Sequence, residues 1–421
     1  MSYPNPYLED GYATNHFILQ LERYQKMNSI RFNGGAIPST IISGLGCRNQ
    51  VLQELEKLGL KRLLIICSPT LRRKTSFITE LERDLGDRLI GVYDGVKPSA
   101  PILAVRHASE FARNLSPDAI LSVGGGAVHD TAKGVAVMCP SGRNITDFVS
   151  RFEPPNTFHS VDIDIDPLPV LTMPSTFSAA DVVGGGAVTD EENGEKLIFL
   201  HPKLTPACVF LDGEIVASTP RKVLTESGMN AVHHCLEALY SKGHQPITDA
   251  LALEALRRLV DTLPRLAPKV TDPDPSDFQK ALEATAMSGL TYANSWLGIG
   301  HSVCHSLGGR YGLSHGAANS VMIRHSIRFN LEHAANRLEL AAQALGASFP
   351  PAQKALAAHY MVSVVDWLTE VLETPRTLRE IGLPEGQFER IAKDVMSDPQ
   401  TYWNPRPARE DEIVDMLHSA W

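Results

Sequence analysis

Ala119-Ile-Leu-Ser-Val-Gly124-Gly-Gly-Ala-Val-His-Asp130-Thr-Ala-Lys133 is the stretch whose reading decides the fold. A short apolar run, too brief for a helix and bounded by glycine, reads as a buried strand, and the pattern after the glycines is helical. Three glycines at this junction let the backbone approach an anion closely. The free amides of the helix start, with the helix dipole behind them, favour a phosphate there. A tight strand-to-helix turn with no ligand accounts for the same glycines equally well, and the spacing is not that of the G-x-G-x-x-G fingerprint. A second triplet, Gly184-Gly185-Gly186, has no helix after it; it reads as a bend in a strand with no phosphate role.

Working outward, similar apolar runs alternate with helical patterns. Arg62–Cys67, Leu89–Tyr93, Ala119–Val123, Pro167–Thr172 and Val209–Leu211 read as strands, and residues 75–85 and 101–114 read as helices. Buried strands separated by helices of this length predict βαβ units and a parallel sheet. Around Asp190-Glu-Glu-Asn-Gly194 the pattern is that of a hairpin with an Asn-Gly turn. After Ser218-Thr219-Pro220, a helix-start signature, strand signals stop and helical periodicity continues to Trp421. The expected organisation is an extension over residues 1–30 that packs on the surface or on a partner subunit, an α/β domain over 31–215, and an all-α domain over 216–421. At 421 residues the chain has the length of two domains.

Charge narrows the partners. With 39 Lys+Arg against 48 Asp+Glu, the formal net charge is −9, which argues against nucleic acid, whose binding rests on clustered cations. A small-molecule substrate fits better. The six cysteines (47, 67, 139, 208, 235, 304) form no C-x-x-C pair, so neither a zinc ribbon nor a secreted disulfide framework is expected, and reduced thiols in a cytoplasm are. The N-terminus lacks the pattern of a signal peptide, and no apolar run approaches the roughly 18 residues that span a bilayer.

Histidine crowding is the second strong signal. Fifteen histidines give about one per 28 residues, yet His301, His305, His315 and His325 fall close together, with His233-His234 upstream. His301 and His305 are four apart, as are Asn230 and His234, so on helices each pair shares a face. His315 follows a glycine-containing stretch, 307–314, that reads as a loop able to fold back on them. Three imidazoles from two helices and a loop suit a divalent transition metal with an open position for a substrate oxygen. His233 points away from His234 on a helix and reads as structural.

Together these segments resemble the iron-containing alcohol dehydrogenase superfamily over nearly the whole chain from about residue 31. The motifs that carry the resemblance are Asp94-Gly-Val-Lys-Pro98, Gly124 to Asp130, Pro174-Ser-Thr176, Gly228-Met-Asn-Ala-Val-His-His234, Ile247 to Leu253, and His301 through Gly316-Ala-Ala-Asn319. The resemblance implies a Rossmann-like N-terminal nucleotide-binding domain and an all-α C-terminal domain, with the site in the cleft between them, and a homodimer. Within the superfamily the sequence is most similar to maleylacetate reductases. Pro174 to Asp181 has the shorter length of that branch, Cys304 precedes His305 as it does there, and Tyr402 to Pro407 with Ala420-Trp421 resembles its tail.

Carried over by position, the resemblance puts the cofactor, NADH or NADPH, on Gly125, Gly126, Asp130, Thr172, Ser175, Thr176 and Lys196. Ser68 stands where NAD-selective relatives have an Asp that would repel a 2′-phosphate, so NADPH is expected to be tolerated. The family's metal ligands fall on Asn230, His234, His301 and His315, for Fe2+ or Zn2+. Asn230 replaces the Asp of iron-dependent members and removes the only anionic ligand, which weakens metal affinity. The expected chemistry is hydride transfer to an unsaturated keto acid or carbonyl substrate. His305 is expected nearest the nicotinamide, with His234 and His301 as further catalytic groups, and Arg310 and Arg324 as candidates to hold a substrate carboxylate. The alternatives are a metal-dependent alcohol dehydrogenase and a lyase resembling dehydroquinate synthase.

Overall fold

The computed structural model describes residues 37–153, 157–159, 161–350 and 355–421. The expected 1–30 extension lies outside them.

In chain order, the first half contains β1 (Thr40–Ser43), α1 (Val51–Leu58), β2 (Leu63–Cys67), α2 (Pro69–Lys74), α3 (Phe77–Leu85), β3 (Leu89–Tyr93), α4 (Ile102–Leu115), β4 (Ala119–Gly124) and α5 (Gly126–Ser141). A small antiparallel pair follows, β5 (Arg151–Glu153) and β6 (Thr157–His159). Next come β7 (Val170–Pro174), the hairpin β8 (Gly185–Asp190) and β9 (Glu195–Leu200), β10 (Cys208–Leu211) and α6 (Gly213–Ala217). Six strands form one parallel sheet in the order β1-β10-β7-β4-β2-β3. Its inner strands are buried on both faces, which is why they read as continuous apolar runs rather than alternating ones. Leu63, Ile65, Leu121, Leu171 and Phe210 pack one face against α1 and α3, while Leu64, Ile66, Ile120 and Val170 pack the other against α4 and α5.

The predicted parallel sheet is present, with local differences. The edge strand β1 had no apolar run to announce it, since alternate residues face solvent. The expected 75–85 helix starts at Phe77, after a separate helix α2 capped by the Ser68 side chain. The expected 167–172 strand sits at 170–174 because Pro167 and Pro169 have no N–H to give a neighbouring strand. The hairpin turns through Asn193-Gly194, with Gly194 at φ +67°. Gly185 and Gly186 open its first strand, and a Cβ on Gly185 would lie 2.0 Å from the Phe199 carbonyl oxygen.

The second half is helical throughout among the described residues: α7 (Arg221–Tyr240), α8 (Pro246–Thr262), α9 (Pro275–Ser295), α10 (Ile299–Tyr311), α11 (His315–Phe329), α12 (Leu331–Ala344), α13 (Ala355–Val371), α14 (Phe388–Ser397), α15 (Pro399–Trp403) and α16 (Glu410–Ala420). Helix α7 is buried along nearly its whole length and runs through a core built with α8, α9, α11 and α13. No described helix is long and apolar enough to cross a membrane, and all six cysteines are free. The expected 307–314 loop is shorter: α10 runs on through Tyr311, leaving residues 312–314 as the connection, and His315 begins α11, which Ser314 caps by accepting the Ala317 N–H.

Candidate active site

The loop after β4 lies at the C-terminal edge of the sheet, where doubly wound folds collect ligands. Gly124 is at φ +157°, and a Cβ there would come 2.6 Å from Val128 Cγ2. Gly125 is extended and caps α5 without a side chain, so the first amides of that 16-residue helix point outward. Parallel pairing sets Gly124 beside Pro174, and the Ser175 amide donates to the Gly124 carbonyl at 2.8 Å. Ser175 and Thr176 thereby flank the loop. A cavity of ≈ 850 Å³ begins here; Ser68, Lys74 and Lys97 line one end, Gly125, Gly126, Ser175, Thr176, Asp130 and Lys196 its middle, and Asn230, His234, His301, His305 and His315 the other.

The charges along the middle are fixed by burial. Asp130 is raised to about 6 by loss of solvent, against the pull of Lys196 and Lys133. Lys196 is lowered by burial, and its ammonium donates to the Ser99 carbonyl at 2.7 Å and to Thr189 Oγ1 at 3.4 Å. Below the loop, Lys133 is fully buried and donates to the carbonyls of Ala180 and Gly185, and burial lowers it to about 8. Nearby Asp181 is also fully buried, with both carboxylate oxygens unpartnered, and burial raises it to about 6.

The histidine end is built from α7, α10 and α11. Asn230 and His234 share one face of α7, and His301 and His305 one face of α10. The ring centroids are 4.9 Å apart for His234 and His301, 5.9 Å for His301 and His315, and 5.8 Å for His305 and His315. Burial, reinforced by repulsion from neighbouring histidines, holds His234 and His301 well below the usual imidazole range, so they are neutral near pH 7, whereas His315 is exposed at the cavity wall. His233 does not line the cavity; it is fully buried behind His301, ring centroids 4.5 Å apart, with Nδ1 at 2.6 Å from Asn319 Oδ1 and Nε2 at 2.9 Å from Ser326 Oγ.

Two carboxylates that sequence reasoning missed hold this end together. Glu237 is fully buried and accepts from the amides of Gly298, Gly300 and His301 at 2.9 to 3.2 Å, and from His301 Nδ1 at 2.7 Å. It caps α10 and orients His301 at once. Its one signal was a lone charge within the apolar run of α7. Asp398 accepts from His305 Nδ1 at 2.8 Å; Asp398-Pro399 is a legible helix start, but nothing local linked it to His305.

Several assignments are corrected. Thr172 is fully buried, its hydroxyl is used by the Asp181 carbonyl at 2.8 Å, and it does not line the cavity. Arg310 and Arg324 do not line it either. Arg310 is held by Asp394 through two hydrogen bonds, 2.7 and 3.0 Å, and Arg324 pairs with Asp366 at 2.9 Å. His325 is buried away from the cavity.

The metal set is weak on its own geometry. Zinc with nitrogen ligands at 2.0–2.1 Å needs donors about 3.4 Å apart. Among the described residues, the one His/Cys/Asp/Glu trio with donor atoms within 4.8 Å of one another is His233, Glu237 and His301, and its members are bonded to one another and to Asn319 and Ser326. His234, His301 and His315 do not form such a trio; Asn230 Oδ1 does lie 3.4 Å from His301 Nε2, but an amide adds no charge. As arranged, these residues do not fit a resident metal.

Comparison with known proteins agrees with the fold and the order of these motifs. Residues 38–213 match the family described as iron-containing alcohol dehydrogenase, and residues 224–421 match the Fe-containing alcohol dehydrogenase family, C-terminal. The chain belongs to the iron-containing alcohol dehydrogenase superfamily. It is 27% identical over 387 residues to the NAD-dependent methanol dehydrogenase of Bacillus methanolicus, covering 91% of this chain and 98% of that one. It is 26% identical over 381 residues to maleylacetate reductase 1 of Cupriavidus pinatubonensis, covering 90% and 94%. The maleylacetate reductase structure from Agrobacterium tumefaciens superposes with a TM-score of 0.75 at 25% identity, covering 94% and 99%. As a member of this superfamily, the chain is an oxidoreductase.

Proposed function

We propose that this iron-containing alcohol dehydrogenase homologue is a nicotinamide-dependent enzyme that reduces a carbonyl compound, or oxidises the corresponding alcohol. One observation carries the reading: a single cavity joins the Gly125–Gly126 helix start to the histidine end. An anion-holding backbone and a group of proton-handling side chains thus share one recess. The α5 amides would hold the pyrophosphate, Ser175 and Thr176 the chain beside it, and Lys196 the ribose. When bound, the nicotinamide supplies the hydride. Negative charge then develops on the substrate oxygen; His305, when protonated at both ring nitrogens, meets it from Nε2, and His234, His301 and His315 form a hydrogen-bonding wall. Lys74 and Lys97 lie at the Ser68 end, which supports acceptance of a 2′-phosphate and so of NADPH as well as NADH.

In this reading the chain divides near residue 215 into a cofactor half and a histidine half, and works as a cytoplasmic homodimer. Reduction of maleylacetate is the second reading, favoured by Asn230 in the metal position. The engagement of Arg310 with Asp394 and of Arg324 with Asp366 weighs against it, since a dicarboxylate needs cationic anchors. The test is consumption of NADH and NADPH with a panel of aldehydes and ketones and with maleylacetate, with and without chelator. Turnover of neutral carbonyls that survives chelation is expected. Turnover that requires added iron or zinc would favour a metal-dependent alcohol dehydrogenase, and conversion without net cofactor consumption a lyase resembling dehydroquinate synthase.

A further inference from the structure

Asp398 lies between α14 and α15, and its carboxylate is immobilised on every side. Oδ2 accepts from His305 Nδ1 at 2.8 Å, while Oδ1 accepts from the Gln400 amide at 2.8 Å and from Ser302 Oγ at 3.1 Å. Ser302 is itself fixed, because Thr401 Oγ1 donates to it at 2.8 Å. Asp398 and Ser302 are both buried. An ionised carboxylate only accepts, so Nδ1 of His305 carries the proton and, in the neutral ring, Nε2 carries the lone pair. The ring lies nearly parallel to that of His315, at 14°, which restricts rotation. His305 lines the cavity, and among the described residues no protein group bonds its Nε2.

We propose that Asp398 is the positioning residue of this site, fixing the tautomer and direction of His305 so that Nε2 faces the substrate oxygen. This rests on the oxidoreductase reading above. In the reducing direction the carbonyl carbon gains a hydride, which carries two electrons, from the reduced nicotinamide, which is thereby oxidised. The π pair of the carbonyl moves to oxygen, and the oxygen takes the proton held at His305 Nε2. The imidazole left behind retains Nδ1–H on Asp398, and Nε2 regains its proton from solvent. In the oxidising direction the alcohol proton passes to the Nε2 lone pair. Asp398 exchanges no proton; it removes the alternative tautomer, in which Nε2 would carry a fixed N–H and accept nothing.

The test uses the full chain. Asp398→Asn retains a helix-capping side chain and so keeps α15 started, while Asp398→Ala removes the carboxylate entirely. With whichever aldehyde or ketone the wild type turns over, both variants are expected to lose on the order of 100-fold in kcat, with the Kd for reduced cofactor changed less than threefold. Asp398→Glu is expected to recover part of the loss. In a His305→Ala background Asp398→Ala should cost nothing further, because the residue acts only through His305. Nitrogen NMR of labelled histidine gives a readout free of turnover: His305 carries its proton on Nδ1 in the wild type and exchanges tautomers in Asp398→Asn. A loss of equal size in both backgrounds, a rise confined to KM, or a neutral wild-type His305 that carries its single proton on Nε2 instead of Nδ1 overturns the proposal. Absence of turnover with every carbonyl tried, alongside the expected Nδ1 tautomer, refutes the oxidoreductase reading and leaves the Asp398 geometry standing.

Discussion

Asp181 offers a quantitative test of the charge balance under the glycine loop. Its carboxylate is fully buried with neither oxygen partnered, and burial raises it from the ordinary 3.8 to about 6. A group raised on folding binds more protons in the folded than in the unfolded state between those two values, so stability falls as pH rises through that window. Asp181→Asn removes the cost of ionisation while keeping the shape. At 1.36 kcal/mol per pKa unit, the variant should gain little at pH 4, where the carboxyl is protonated in the folded protein, and about 3 kcal/mol at pH 8. The pull of Lys133 on the carboxylate is already contained in that raised value. Thermal unfolding of both proteins from pH 4 to pH 8 gives the difference directly, and titrations common to both cancel. A difference that stays constant across this range, or a variant less stable at pH 8, would refute the claim that ionising Asp181 in its buried position carries a net cost.

Other expectations are more local. Gly125→Val should weaken binding of reduced cofactor by at least about tenfold in a fluorescence titration, since the Cβ alone would already stand 3.2 Å from Thr176 Cγ2. Asn230→Asp should raise bound iron or zinc, measured by elemental analysis after dialysis, because it restores an anion 3.4 Å from His301 Nε2; unchanged metal content would defeat the charge argument. Arg310→Gln should leave KM for carboxylate and neutral substrates alike within about twofold while lowering the unfolding midpoint, as expected for a residue whose guanidinium is held by Asp394. A selective rise in KM for carboxylates would return Arg310 to the substrate.

The sheet was legible because its inner strands are covered on both faces and therefore write themselves as unbroken apolar runs. The glycine loop and the histidines were legible for a related reason: their spacing is local, three residues at one turn or four along one helix. What failed depended on distant partners. Thr172 sits on a strand with the right neighbours, yet its hydroxyl turns inward to the Asp181 carbonyl. Arg310 and Arg324 lie close to the histidines in sequence, but Asp394 and Asp366 on other helices claim them. Glu237 and Asp398 orient His301 and His305 across 64 and 93 residues of chain, and periodicity carries no information about such pairings.

The β8–β9 hairpin has a mechanical consequence. On one side a Cβ at Gly186 would lie 2.5 Å from Asp130 Oδ1, and on the other a Cβ at Gly309 would lie 3.0 Å from the Lys196 amide. The ribbon is wedged between α5 and α10 with side chains deleted at both contacts, so it works as a spacer of fixed thickness between the phosphate-facing helix and the histidine-bearing one. Any breathing of the cleft along that line must slide backbone over backbone at Gly309. The thickness of the ribbon thereby sets the distance between the glycine loop and the histidines that line the same cavity.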